Sequence, residues 1–213
     1  MSRITHAFAK AQEEARGALV VYITAGDPNL AVTRELVPVI ARAGADVIEL
    51  GMPYSDPLAD GPIIQAAGQR ALAAGTTVKG VLQTVHDIRS RCDVPLLFMT
   101  CYNPILQHGV ADFAEDAADA GLDGVLISDL PPEEADEWTT AASDCALDRV
   151  YLIAPTTPPA RARVIASRTS GFVYLVARTG VTGASAELAP ELRGLVAHIR
   201  EVSNLPIAVG FGL

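Results

Sequence analysis

With 213 residues, half of them apolar, the chain can bury one sizeable core, and nothing in its length forces a second domain. Its 16 basic and 25 acidic residues leave a net charge of -9, which repels phosphate backbones and anionic lipid and so argues against nucleic acid and membrane surfaces as partners. A small anionic substrate is compatible with that balance, because backbone N–H groups at one local site can hold a phosphate.

Cys92, Cys101 and Cys145 are odd in number and lack CxxC spacing, so neither a disulfide framework nor a structural zinc site is expected. Reduced thiols in the cytoplasm fit that usage. The N-terminal stretch is polar and charged where a signal peptide needs an apolar core, and no run approaches the ~18 apolar residues of a membrane span. A soluble, unexported protein is the expectation.

Ile4, Ala7, Phe8, Ala11 and Ala15 recur at helical spacing, which predicts an amphipathic helix over 3–16, shaped to plug one end of a barrel. Residues 18–24 form an apolar, β-branched strand closed by the turn Ala25-Gly-Asp-Pro28, and a helix follows over 30–43. The unit then repeats. A second strand over 46–51 leads into a proline-rich loop and helices over 63–74 and 78–91. A third, 95–100, ends in Cys101-Tyr-Asn-Pro104 and precedes a helix over 111–120. A fourth, 124–128, runs into Asp129-Leu-Pro-Pro132, with an acidic helix start at Glu133 that suits the helix dipole. Strands over 149–154, 172–177 and 206–212 complete the series, with helices after Pro158-Pro159 and over 187–202.

Apolar strands alternating strictly with helices demand a parallel sheet covered by helices. Seven units without a long linker favour a single-domain (β/α)8 barrel over a doubly wound sheet. Since such barrels run to ~250 residues, the expectation for residues 1–213 is a barrel lacking its last strand and final two helices.

Catalytic groups of such barrels sit at the C-terminal strand ends and in the loops that follow. Glu49, Asp60, Tyr102, Asp129, Arg178 and Thr182 fall there. Glu49 shares a strand face with Val47 and Gly51, and a carboxylate on an apolar face is costly enough to favour function over a structural ion pair. Asp60 precedes Gly61-Pro62, so helix capping and chemistry are equally good readings. Asp27 and Asp56 precede prolines and read as turn formers, and for Asp129 the structural role ranks higher. Gly180-Val-Thr-Gly183 suits a lid or an ordinary turn, and Gly210-Phe-Gly212 suits either a phosphate cradle or tight packing. His6, His86, His108 and His198 lack metal-ligand spacing, and no GxSxG, Walker A or GxGxxG motif is present, so no metal is implied and acid–base chemistry by carboxylates is left.

The stretch Glu49-Leu-Gly-Met-Pro-Tyr-Ser-Asp-Pro-Leu-Ala-Asp-Gly-Pro62 closely resembles the signature of the tryptophan synthase alpha subunit family. YITAGD over 22–27, Tyr102-Asn-Pro-Ile105, Ser128-Asp-Leu-Pro131, Tyr174-Leu-Val-Ala-Arg-Thr-Gly-Val-Thr-Gly183 and Gly210-Phe-Gly212 extend the resemblance along the whole chain. Met52 and Tyr54 are mild departures, where Ile and Phe are usual. The family's second phosphate loop, a Gly-Ser turn after the eighth strand, has no counterpart in the sequence.

The resemblance implies a (β/α)8 barrel that cleaves indole-3-glycerol phosphate to indole and glyceraldehyde 3-phosphate by a retro-aldol reaction, with no cofactor in this subunit. It implies Glu49 as general acid/base and Asp60 at the indole N–H. Tyr22, Tyr102, Ile127 and Ile153 would line the indole pocket, Ile64 would belong to the substrate-binding set, and Tyr174 and Thr182 would contact substrate or order the site. Gly183, Gly210, Phe211 and Gly212 would surround the phosphate. It further implies an alpha2beta2 heterotetramer with a pyridoxal-phosphate beta subunit, reached through Pro53 and Asp56. The alternatives are a stand-alone lyase that releases free indole and a non-catalytic barrel that activates a beta subunit.

Overall fold

A computed structural model describes residues 2–57, 60–177 and 192–210. The chain opens with α1 (Arg3–Glu13), β1 (Val20–Thr24), α2 (Leu30–Arg42), β2 (Val47–Gly51), α3 (Pro62–Ala73) and α4 (Val78–Arg89). Next come β3 (Leu96–Thr100), α5 (Tyr102–His108), α6 (Val110–Ala120), β4 (Gly124–Ile127), a 3-10 turn at Pro132–Glu134 and α7 (Asp136–Asp144). The last part is β5 (Asp148–Val150), β6 (Leu152–Ile153), α8 (Pro159–Arg168), β7 (Val173–Val176), α9 (Leu192–Val202) and β8 (Ile207–Gly210).

Every strand pair is parallel, in the orders β1-β2-β3-β4-β5 and β6-β7-β8. β5 and β6 are two stretches of one expected strand, parted at Tyr151, whose carbonyl still accepts the Tyr174 N–H at 3.2 Å. Seven barrel strands are thereby formed, and the strand that would close an eight-stranded barrel between β8 and β1 is not among the described residues. The architecture of the described residues is that of a (β/α)8 barrel. No helix among the described residues is long and apolar enough to cross a membrane.

Because strand side chains alternate, the apolar residues separate into two cores. Ile48, Leu50, Leu96, Phe98, Val125, Ile127, Ile153, Val173 and Leu175 pack outward against the helices. Val47, Leu97, Leu126, Val150, Phe172 and Tyr174 pack inward, joined by Ile4, Ala7 and Phe8 of α1. The helix thus closes the N-terminal mouth, as its spacing predicts. Phe8 stacks near Phe172 with ring centroids 5.2 Å apart, Ser2 donates to Asp148, and Arg3 donates to Asp123 at 2.9 Å.

One helix departs from expectation. The segment after Cys101 continues as α5 rather than as loop, because Pro104 falls in the first turn, where a missing N–H leaves no bond unmade. The cap comes from another element: the Asp129 carboxylate accepts the Tyr102 N–H at 2.7 Å. Asp129 therefore serves the structural role that the sequence favoured for it.

Candidate active site

Glu49 sits at the middle of β2, paired with Tyr22 of β1 and Leu97 of β3, and is 2% exposed. The Tyr174 hydroxyl hydrogen-bonds the carboxyl group, while among the described residues Oε1 is buried without a hydrogen-bond partner. Burial pushes the Glu49 pKa up from 4.5 to about 7, against the downward pull of the Tyr174 bond. An acid poised near neutrality exchanges protons in both directions with little driving-force penalty.

Two tyrosines near Glu49 lie across glycines, and of these Tyr174 bonds its carboxyl group. A Cβ at Gly51 would lie 2.0 Å from the Tyr22 hydroxyl, and one at Gly210 would lie 2.1 Å from the Tyr174 hydroxyl. Only bare backbone leaves room for either ring. Desolvation raises the Tyr22 pKa to about 12, with Asp60 and Glu49 adding to it, and desolvation raises that of Tyr174 as well. Both phenols stay neutral donors at physiological pH.

The β2–α3 loop carries Asp60 to the mouth. Met52 is tied to β3 through its N–H to the Met99 carbonyl at 2.9 Å, and the Asp60 carbonyl accepts Gln65 Nε2 at 2.8 Å. α3 is capped at Gly61 and begins at Pro62, so Asp60 stands outside the capping position. Its carboxyl is partly buried, and desolvation raises its pKa. Asp60 lines a narrow cleft with Tyr22, Met52, Tyr54, Pro57, Met99, Thr100, Cys101 and Ser128. Leu58 and Ala59, between the two carboxylates in sequence, lie outside the described residues.

Four expected site residues are placed elsewhere. Ile127 and Ile153 point outward into the helix-facing core, and the inward positions belong to Leu126 and Leu152, one residue away on each strand. Tyr102, turned by α5, packs on the outer core and lies near Glu137 of α7, so Cys101 lines the cleft in its place. Pro53 is buried within this chain and offers little surface to a partner, whereas Asp56 is exposed. Ile64 lines an adjoining groove of about 280 Å³ that shares Tyr22 with the cleft. Gly210 makes room for Tyr174. Arg178, Thr182, Gly183, Phe211 and Gly212 lie outside the described residues.

Among the described residues no group of three His, Cys, Asp or Glu side chains is arranged to hold a metal. A parallel barrel with a buried acid titrating near pH 7, and a second carboxylate at the C-terminal mouth, defines a barrel enzyme of the acid–base class.

The comparisons narrow that class. The family described as Tryptophan synthase alpha chain matches residues 8–213. The Geobacter sulfurreducens tryptophan synthase alpha chain is 51% identical over 213 residues, covering 100% of this chain and 81% of that protein. A solved structure of Mycobacterium tuberculosis tryptophan synthase superposes with a TM-score of 0.92 at 38% identity, over 100% of this chain and 81% of the other. A second, of the tryptophan synthase alpha2beta2 complex from Pyrococcus furiosus, gives 0.86 at 39% identity, over 92% and 79%. The chain belongs to the tryptophan synthase alpha chain family. Its chemistry is the carbon–carbon lyase step of tryptophan biosynthesis, cleavage of indole-3-glycerol phosphate to indole and glyceraldehyde 3-phosphate, with no cofactor of its own.

Proposed function

We propose that Glu49 carries the proton transfers of this cleavage and that Asp60 holds the indole N–H. Scission between indole C3 and the side chain needs a proton delivered to C3 and one removed from the adjacent hydroxyl, whose oxygen becomes the aldehyde. The two transfers cancel, so one carboxyl group that gives and then takes a proton returns to its starting state. The supporting observation is Glu49 itself, buried on the interior face with Oε1 unpartnered and a pKa near 7. Protonation at C3 leaves positive charge on the ring, which a carboxylate at N1 stabilises; Asp60 at the cleft mouth fits that task.

The phosphate end of the substrate goes, on the family resemblance, to backbone around Gly183, Gly210, Phe211 and Gly212, with Thr182 and Tyr174 ordering the site. The partner in this reading is a beta subunit carrying pyridoxal phosphate, in an alpha2beta2 assembly in the cytoplasm. Exposed Asp56 on the β2–α3 loop is the contact from this chain, and the same loop carries Asp60. Residues 1–213 act as one barrel domain.

The deciding experiment is to supply indole-3-glycerol phosphate and assay indole for the wild type and Glu49→Gln. Loss of indole with an unchanged circular dichroism spectrum supports the reading, and retained turnover refutes it. Equal lyase rates with and without beta subunit would sink the role given to the partner.

A further inference from the structure

Asp60 hangs from the start of α3. Its carbonyl accepts Gln65 Nε2 at 2.8 Å, and the helix begins two residues later at Pro62, so the carboxylate moves with the first turn. The far end of the same helix is fixed to the turn after β1, the strand that carries Tyr22. Arg70 lays a fork on Asp27, with Nε donating to Oδ1 at 2.8 Å and Nη2 to Oδ2 at 2.7 Å. Thr76, just beyond the helix, packs so closely on Gly26 that a Cβ there would lie 2.0 Å from Thr76 Oγ1.

Little else grips α3 among the described residues. It buries Ala67, Gly68 and Ala71, none with a side chain larger than a methyl, whereas α4 buries Val81, Leu82, Val85 and Ile88. Ile63, in the first turn, is 82% exposed. Apolar stabilisation scales with the area buried, so a helix that buries only methyl-sized groups depends on polar contacts for its orientation. A bidentate guanidinium–carboxylate pair supplies direction as well as attraction. The bonds from Arg70 hold the Asp27 pKa below its ordinary value, which keeps that carboxylate charged.

We infer that Asp27 and Arg70 are positioning residues, whose fork sets the tilt of α3 and so holds Asp60 across the cleft from Tyr22. This rests on the proposed placement of the indole N–H at Asp60, and both residues act through that carboxylate rather than on the substrate. The lever is long. Arg70 lies ~12 Å along the axis from the helix start, so a tilt of about 5° shifts that end by about 1 Å, a displacement that can cost ~100-fold in rate.

The test measures kcat and KM for indole formation in the wild type, Arg70→Met, Asp60→Asn and the double variant. Arg70→Met should lower kcat by roughly 10- to 100-fold and change KM by less than about threefold, the pattern of an interaction realised in the transition state. In the Asp60→Asn background the same substitution should change kcat by less than about twofold, because the carboxylate it positions is gone. An equal loss in both backgrounds overturns the inference, as does an unchanged kcat in Arg70→Met. The pair is exposed and contributes little to global stability, so the urea midpoint should stay near that of the wild type, and a midpoint low enough to explain the lost rate by unfolding also overturns it. Amide hydrogen exchange supplies a readout free of turnover: Arg70→Met and Asp27→Asn should each speed exchange over α3 and leave α4 as it was, and unchanged exchange over α3 sinks the inference. Full activity in Asp60→Asn would defeat the proposed function, while exchange would still decide whether the fork holds the helix.

Discussion

The two ends of the barrel interior use buried carboxylates in opposite ways. At the N-terminal end Asp123 is 6% exposed and fully engaged: it accepts the Leu96 N–H at 2.8 Å, Arg3 at 2.9 Å, and Arg89. Asp148 nearby accepts from Ser2. Toward the C-terminal end Glu49 is buried as deeply, yet its Oε1 has no hydrogen-bond partner among the described residues. A satisfied buried acid ties elements together, and an under-satisfied one keeps a proton to exchange. Burial alone does not separate structural from chemical acids; the supply of donors does.

The widest gap between the two ends should appear in Glu49→Gln, where indole formation falls by roughly 10³-fold while the fold persists, in line with the loss of a general acid–base. At the other end, Arg89→Met leaves Asp123 buried with one cation removed, which should cost about 3 kcal/mol of stability in urea melts with activity per folded molecule kept. A reversal of those two results would erase the distinction.

A third prediction concerns pH. Glu49 titrates near 7 when folded against an ordinary 4.5, so the stability it contributes is fully present below about 4.5 and is lost as pH rises through 7. At pH 8 that loss is ~3 kcal/mol by linkage. Glu49→Gln should flatten the stability profile between pH 5 and 8, measured by melts across that range, and an unchanged slope would contradict the burial argument.

The smallest expected effect is on tuning. Tyr174→Phe removes the hydrogen bond that holds the Glu49 pKa down, so the acid limb of the rate profile should move to higher pH, with activity reduced about tenfold for one lost charge-assisted bond. Gly210→Ala should move the limb the same way, because its Cβ would displace the Tyr174 ring.

Much of the fold was legible. Turn prolines and apolar runs marked the strand–helix units, and the spacing of Ile4, Ala7 and Phe8 announced the plug. The site was legible only where a polar residue betrayed which way a strand faces. In β2 the carboxylate of Glu49 does so. In β4 and β6 both faces are apolar, as in any parallel sheet covered on two sides, so Leu126 and Ile127, or Leu152 and Ile153, are indistinguishable until the register is known. The expected positions were off by one for that reason. Tyr102 misled for another: a helix cannot be heard through Pro104 when its cap comes from Asp129, 27 residues away.

The plug helix has a consequence for assembly. Its anchors join Ser2 to Asp148 and Arg3 to Asp123, separations of 146 and 120 residues. Contacts that distant close late, since the intervening loop entropy is met before they form. On a ribosome, where synthesis runs from the N-terminus, the helix waits unseated until β4 and β5 have emerged, so a segment made before every strand of the barrel is among the last to find its place.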